Sequence, residues 1–129
     1  MSLILVVEDE RHIARLLEYN LARAGYRVLV AQDGQAALDM VAEANPDAVL
    51  LDLNLPVLSG QEVLGRLKAD PARAGLVVVV LTAHAFENIP EEVRRSGASA
   101  CLSKPIAPTT LLAKLEELGV PPRRGEARP

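Results

Sequence analysis

Asp47-Ala48-Val49-Leu50-Leu51-Asp52-Leu53-Asn54-Leu55-Pro56-Val57-Leu58-Ser59-Gly60 opens with an unbroken apolar run, Ala48 to Leu51, which ends on a carboxylate and passes into a loop punctuated by Pro56 and Gly60. A run without polar alternation predicts a strand buried on both faces, as in parallel sheets covered by helices. Asp52 then stands at the strand's carboxyl end, the side on which open parallel α/β sheets form their ligand crevice. An Asp after a strand also commonly hydrogen-bonds its own loop backbone, so Asp52 gains meaning only from its company elsewhere in the chain.

That company begins at Leu3-Ile4-Leu5-Val6-Val7, a second continuous apolar run that ends in Glu8, Asp9 and Glu10. Leu76 to Leu81 is the most apolar run of all, with Thr82 at its end, and a brief strand from Ala100 to Ser103 is stopped by Lys104-Pro105. Arg27 to Ala31 supplies a shorter, more polar strand. Helical spacing separates them. Ile13, Leu16, Leu17, Leu21 and Ala24 recur on one face with Arg11, Arg15 and Glu18 opposite, and Gly25 supplies the stop. Asp33 caps a second helix carrying Ala37, Leu38, Val41 and Ala44. Ser59 and Glu62 have capping-box spacing for a third, starting near Gln61, burying Val63, Leu64 and Leu67 and fading by Asp70-Pro71. A short fourth helix is expected from Pro90 to the terminator Gly97, and Leu111, Leu112, Leu115 and Leu118 mark a fifth.

Five strands alternating with five helices imply a doubly wound parallel sheet, because short links allow only right-handed crossovers. The three apolar strands should be central and the two polar ones edges, which matches the flavodoxin-like order 2-1-3-4-5 with its crevice between strands one and three. Glu8, Asp9 and Asp52 would converge there, joined by Thr82 and Lys104 from neighbouring strand ends.

Composition narrows the function. With 129 residues, 50% hydrophobic and 24% charged, the chain has material for one globular core. We expect a domain over residues 1–120 and a flexible tail over 121–129. A net charge of −3 and no long basic run give no nucleic-acid footprint. Cys101, the single cysteine, cannot close an internal disulfide, which fits a reducing compartment. No apolar run approaches membrane-spanning length, and Leu3 to Val7 is too short for a signal peptide and is followed by acid, so a cytoplasmic protein without membrane contact is expected.

Three carboxylates in one crevice repel each other unless a cation neutralises them, and all-oxygen ligands suit Mg²⁺. Lys104 adds a fixed positive charge and Thr82 a hydroxyl, so together the groups describe a phosphoryl pocket in which Asp52 can act as an oxygen nucleophile.

On these residues the chain resembles the receiver domain of two-component response regulators over about Leu3 to Leu118. The motifs are Val6-Val7-Glu8-Asp9-Glu10, Leu51-Asp52-Leu53-Asn54-Leu55-Pro56, Leu81-Thr82-Ala83, and Gly97-Ala98 leading to Leu102-Ser103-Lys104-Pro105. Each is weak alone; their order and spacing are specific. The resemblance implies that Asp52 accepts phosphate from a histidine kinase or histidine phosphotransfer protein. It implies Mg²⁺ held by Asp9, Asp52 and the Asn54 backbone carbonyl, with Glu8 assisting directly or through water. Phosphoryl oxygens would be held by Thr82, the Ala83 N–H and Lys104, and the Lys104-Pro105 bond would be cis. The output would be a shift of the face formed by the fourth helix, fifth strand and fifth helix, read by a downstream effector protein. Helix one, with Ile13, Arg15 and Leu16, and the loop after Lys104 would meet the phosphodonor.

Departures from the family are also legible. Cys101 occupies the position where many receivers carry the Tyr or Phe that turns inward as the threonine moves, which predicts a muted or different rearrangement there. Ser59 replaces a frequent Asp but keeps the capping logic, and the stretch His84 to Pro90 departs from the usual start of the fourth helix. Asn54 and His84 flank the phosphoryl site, where the family implies tuning of phosphate lifetime. A stand-alone receiver is the leading expectation; a fragment of a larger regulator or hybrid kinase is the alternative. A Mg²⁺-dependent aspartyl phosphohydrolase of the haloacid-dehalogenase kind fits less well, since Asn54 stands where those enzymes carry an acid/base Asp.

Overall fold

Each apolar run becomes a strand and each periodic stretch between them a helix, in a computed structural model that describes residues 2–55, 57–82, 95 and 97–122. The order is β1 Leu3–Val7, α1 Arg11–Arg23, β2 Arg27–Ala31, α2 Gly34–Ala44, β3 Ala48–Asp52, α3 Gly60–Ala69, a 3₁₀ turn Pro71–Arg73, β4 Val77–Thr82, β5 Ala100–Ser103 and α4 Pro108–Glu117. The strands form one parallel sheet in the order β2-β1-β3-β4-β5. β1 and β3 are buried throughout and β4 almost throughout, whereas β2 and β5 are mostly half-exposed, as edge positions require.

Alternation along the strands divides the core in two. Leu5, Val7, Val49, Leu51, Val78 and Val80 pack with α2 and α3. Ile4, Val6, Leu50, Val79 and Leu81 face the other way, onto Leu17 and Leu21 of α1 and Leu111 and Leu115 of α4. Burying each such side chain stabilises the fold by about 1.5–3 kcal/mol, so the helices are fixed on both faces and the strand ends between them are held rigidly.

Local chemistry sets the boundaries. Asp33 Oδ1 accepts the Ala36 N–H at 2.8 Å to start α2, and Ser59 Oγ accepts the Glu62 N–H at 3.2 Å to start α3. The Glu62 carboxylate pairs forward with Arg66. Gly25 ends α1 with φ of +106°, a conformation that only glycine adopts without strain. Gly60 is required for another reason: a Cβ there would lie 2.4 Å from the Asp52 carbonyl oxygen. Its N–H donates to the Leu53 oxygen at 3.0 Å, so the start of α3 is drawn against the end of β3.

The structure departs from the expected pattern in places. Leu16 is 58% exposed, because the buried stripe of α1 runs through Ala14, Leu17 and Leu21 and a one-residue step of about 100° carries Leu16 off it. The fading end of α3 tightens into the 3₁₀ turn, with Asp70 Oδ1 accepting the Ala72 N–H. The helix expected from Pro90 lies outside the described residues, although Gly97, its expected terminator, has φ of +104°. The Lys104-Pro105 bond is cis.

The first and last described residues meet at the opposite side from the acidic strand termini. Tyr26 donates its hydroxyl to the Val120 oxygen at 2.6 Å and the Ser2 N–H to the Pro122 oxygen at 3.2 Å; residues 123–129, most of the expected tail, lie outside the described residues. Among the described residues no helix is long and apolar enough to cross a membrane.

Candidate functional site

Parallel pairing in this register brings the carboxyl ends of the central strands together, with Val7 beside Leu51, Asp52 beside Leu81 and Thr82 beside Ser103. Four of the five strands then each hand one polar group to the same rim: Glu8 just past β1, Asp52 ending β3, Thr82 ending β4 and Lys104 just past β5. Glu8, Asp52 and Thr82 are buried, at 1%, 4% and 5% exposure, while Asp9 is exposed. Rigid strands thus fix the inner groups, and the turn into α1 presents the outer one.

The centre of the site is the Lys104 ammonium, 2.8 Å from Glu8 Oε1 and 3.2 Å from Asp52 Oδ2. The remaining carboxylate oxygens face backbone: Asp52 Oδ1 accepts the Asn54 N–H at 3.1 Å, and Glu8 Oε2 accepts the Glu10 N–H at 3.4 Å. Asp52 therefore does make the loop bond common to strand-end aspartates, with its second oxygen directed to the ammonium. Burial is the main influence on Glu8 and pushes its carboxyl from 4.5 up to about 7, with Lys104 opposing and Asp52 adding to the rise. Burial by itself would lower Lys104, but the bond to Glu8 and the Asp52 charge leave its pKa raised. The ammonium is a fixed charge at neutral pH.

Beside this triad lies an open cleft of about 550 Å³, lined by Asp9, Asp52, Asn54, Thr82 and Lys104. Glu10, Ile13, Leu53, Ser59 and Gln61 complete its lining. One carboxylate oxygen each from Glu8, Asp9 and Asp52 fall within 4.8 Å of one another. Oxygen donors that close, two buried and one exposed, fit a hard divalent cation. Chemically, the arrangement can neutralise an incoming anion while offering it a carboxylate nucleophile.

The site residues expected from the sequence are therefore neighbours wherever they are described: Glu8, Asp9, Asp52, Asn54, Thr82 and Lys104 share one rim. Ala83 and His84 lie outside the described residues. Cys101 is half-buried, beside Val80 in the register, and packs on the α2/α3 core. Sequence reasoning did not anticipate that Lys104 is engaged by Glu8, nor that Ile13 and Gln61 line the cleft. Glu10 it saw only as a third acid after β1. The available signal was position, since all three sit within the first turn of helices that begin at the sheet's carboxyl edge.

The chain is thus a doubly wound α/β protein with carboxylates and a fixed ammonium gathered at its switch-point crevice, and known proteins share that architecture. The chain belongs to the response regulator receiver domain family, whose model matches residues 4–116. It is similar to the transcriptional regulatory protein KdpE of Mycobacterium tuberculosis, 39% identical over 115 residues that cover 89% of this chain and 50% of KdpE. It is similar also to the polar-differentiation response regulator DivK of Brucella ovis, 35% identical over 104 residues covering 81% of this chain and 85% of DivK. Among solved structures, the chemotaxis protein CheY4 of Vibrio cholerae superposes with a TM-score of 0.86 at 30% identity, covering 92% of this chain and 98% of CheY4. The chain spans about half the length of curated relatives such as KdpE.

Proposed function

We propose that Asp52 accepts a phosphoryl group from a phosphohistidine donor, a histidine kinase or a histidine phosphotransfer protein, and that the acyl phosphate changes the face offered to a downstream effector protein. The observation that carries this reading is the Lys104 ammonium bridging Glu8 and Asp52 beside exposed Asp9. An Asp52 oxygen attacks phosphorus; the P–N bond to the donor imidazole breaks and its electron pair returns to the ring nitrogen. Lys104, Thr82 and the Ala83 N–H are assigned to the phosphoryl oxygens, where fixed donors stabilise the charge that spreads over them in the transition state. Asp9, Asp52 and the Asn54 carbonyl are assigned as Mg²⁺ ligands, with Glu8 assisting. When bound, the ion supplies charge neutralisation between the carboxylates and the phosphoryl group.

In this reading residues 1–120 form the signalling unit, 121–129 a tail, and the chemistry is confined to the protein's own phosphorylation and dephosphorylation. It works in the cytoplasm through protein partners, with no direct nucleic-acid or membrane contact. The near-complete coverage of DivK supports a stand-alone receiver. The half-length coverage of KdpE supports a second reading, a receiver within a longer regulator; the intact mass of the native protein separates the two.

The test is incubation with acetyl phosphate and Mg²⁺, read by intact mass. One phosphoryl increment is expected, absent in Asp52→Asn and strongly reduced in Asp9→Asn or with a chelator. An increment that persists in Asp52→Asn overturns the assignment, and steady turnover of a small phosphate ester lost in Asp52→Asn would replace it with a phosphohydrolase.

A further inference from the structure

Glu10 occupies the N-cap of α1, a position that favours Ser, Thr, Asp or Asn, whose short side chains accept a helix N–H. Its side chain makes no such bond. The residue instead lines the cleft together with Asp9, and the first turn of the helix that follows holds no acid. Its charge is thus available to the cleft and contributes no capping bond to the helix.

The formal charges around the cleft make that position consequential. Four carboxylates, Glu8, Asp9, Glu10 and Asp52, stand against the Lys104 ammonium and the two charges of one divalent ion. One negative charge is left over, and Glu10 is the carboxylate with neither Lys104 nor a place in the metal cluster to offset it.

We infer that Glu10 is a donor-selecting residue: it opposes entry of free anionic phosphodonors with anionic leaving groups and favours donors whose leaving group departs neutral. The inference rests on the proposed phosphorylation of Asp52. With acetyl phosphate, the Asp52 oxygen bonds to phosphorus, the P–O bond to the acetyl group breaks, and acetate leaves with the electron pair and a full negative charge. With phosphoramidate protonated on nitrogen, H₃N⁺–PO₃²⁻, the P–N bond breaks, its electron pair returns to nitrogen, and neutral ammonia leaves. Only the first releases a growing negative charge into the cleft that Glu10 lines. A protein phosphohistidine protonated on its other ring nitrogen releases a neutral imidazole and falls in the second class.

The test is the rate of Asp52 phosphorylation, at saturating Mg²⁺, of the wild-type protein, Glu10→Gln and Glu10→Lys with each donor. Acetyl phosphate should react roughly three- to tenfold faster with Glu10→Gln, the size expected of one unit charge acting across a solvent-open cleft, and faster again with Glu10→Lys. The phosphoramidate rate should change by less than about twofold, since its leaving group carries no charge for Glu10 to oppose. The acetyl phosphate advantage should shrink as salt is added. Beryllofluoride affinity, which involves no leaving group, supplies a readout apart from the chemistry and should tighten by less than the acetyl phosphate rate rises. Equal acceleration with both donors, or an unchanged donor ratio, overturns the role of Glu10. Failure of every protein to gain a phosphoryl group with either donor overturns the phosphorylation reading itself.

Discussion

Glu8 is the residue whose surroundings disturb it most, and its disturbance has a sign that can be measured. Its carboxyl ionises at about 7 in the fold against an ordinary 4.5. Below the lower value it is neutral in both folded and unfolded chains. As pH climbs between the two, the unfolded chain gives up its proton first, so stability falls, and the deficit is complete above the folded pKa. A shift of this size corresponds to at most about 3 kcal/mol, at about 1.4 kcal/mol per pH unit. In metal-free urea unfolding, the wild-type midpoint should therefore drop between roughly pH 5 and pH 7.5 by more than that of Glu8→Gln, the difference between the two proteins isolating this carboxyl from the others that titrate. Parallel pH profiles would show that Glu8 is not held neutral by its burial. The identities and strand-end positions of Glu8, Asp52, Thr82 and Lys104 were readable in the sequence because apolar runs announce where strands stop. The Glu8–Lys104 pair was not, since it joins side chains 96 residues apart and depends on which way each turns at the rim.

At the scale of elements, strands were easier to read than helix faces. Ala48–Asp52 and Ala100–Ser103 begin and end where the apolar runs and their stops predict, because burial on both faces leaves little room for polar residues inside a central strand. Helix α1 was harder. Leu16 and Leu17 are adjacent and equally apolar, and only the small Ala14 settles the rotation, by letting that face approach the sheet. The expectation from Pro90 to Gly97 falls mostly outside the described residues, which include only Arg95 and Gly97 of it. The join between β3 and α3 carries a prediction of its own. In Gly60→Ala the new methyl would meet the Asp52 carbonyl, a backbone atom that cannot step aside without moving the strand end. Loss of about 1–3 kcal/mol is expected from such overpacking, together with slower phosphoryl uptake, since Asp52 and Gly60 share the contact. Unchanged unfolding midpoint and uptake in Gly60→Ala would mean that the strand end tolerates displacement.

For the whole molecule, the sheet order followed from which strands were apolar throughout, because only interior strands can be covered on both faces. What the order could not reveal was how the segments around Ser2 and Val120 are held together. Tyr26, at the start of β2, is buried and bonds the Val120 oxygen across 94 residues, close to where Ser2 meets Pro122. Tyr26→Phe removes the donor and leaves a carbonyl in apolar surroundings, so a loss of about 1–2 kcal/mol is expected in urea unfolding. Asp52 phosphorylation should stay at the wild-type rate, because the clasp sits at the far end of the strands. A simultaneous fall in phosphorylation rate would mean that the two ends of the sheet are coupled. The strand that leads to Lys104 is another matter. β5 is the shortest of the five, half-exposed and hydrogen-bonded along one side only. An ammonium shared by two anchors, mounted on the least restrained plank of the floor, makes that plank the first to yield when one anchor changes its charge. In the reading proposed above, a change of charge at the centre of the molecule would be felt first along that outer margin.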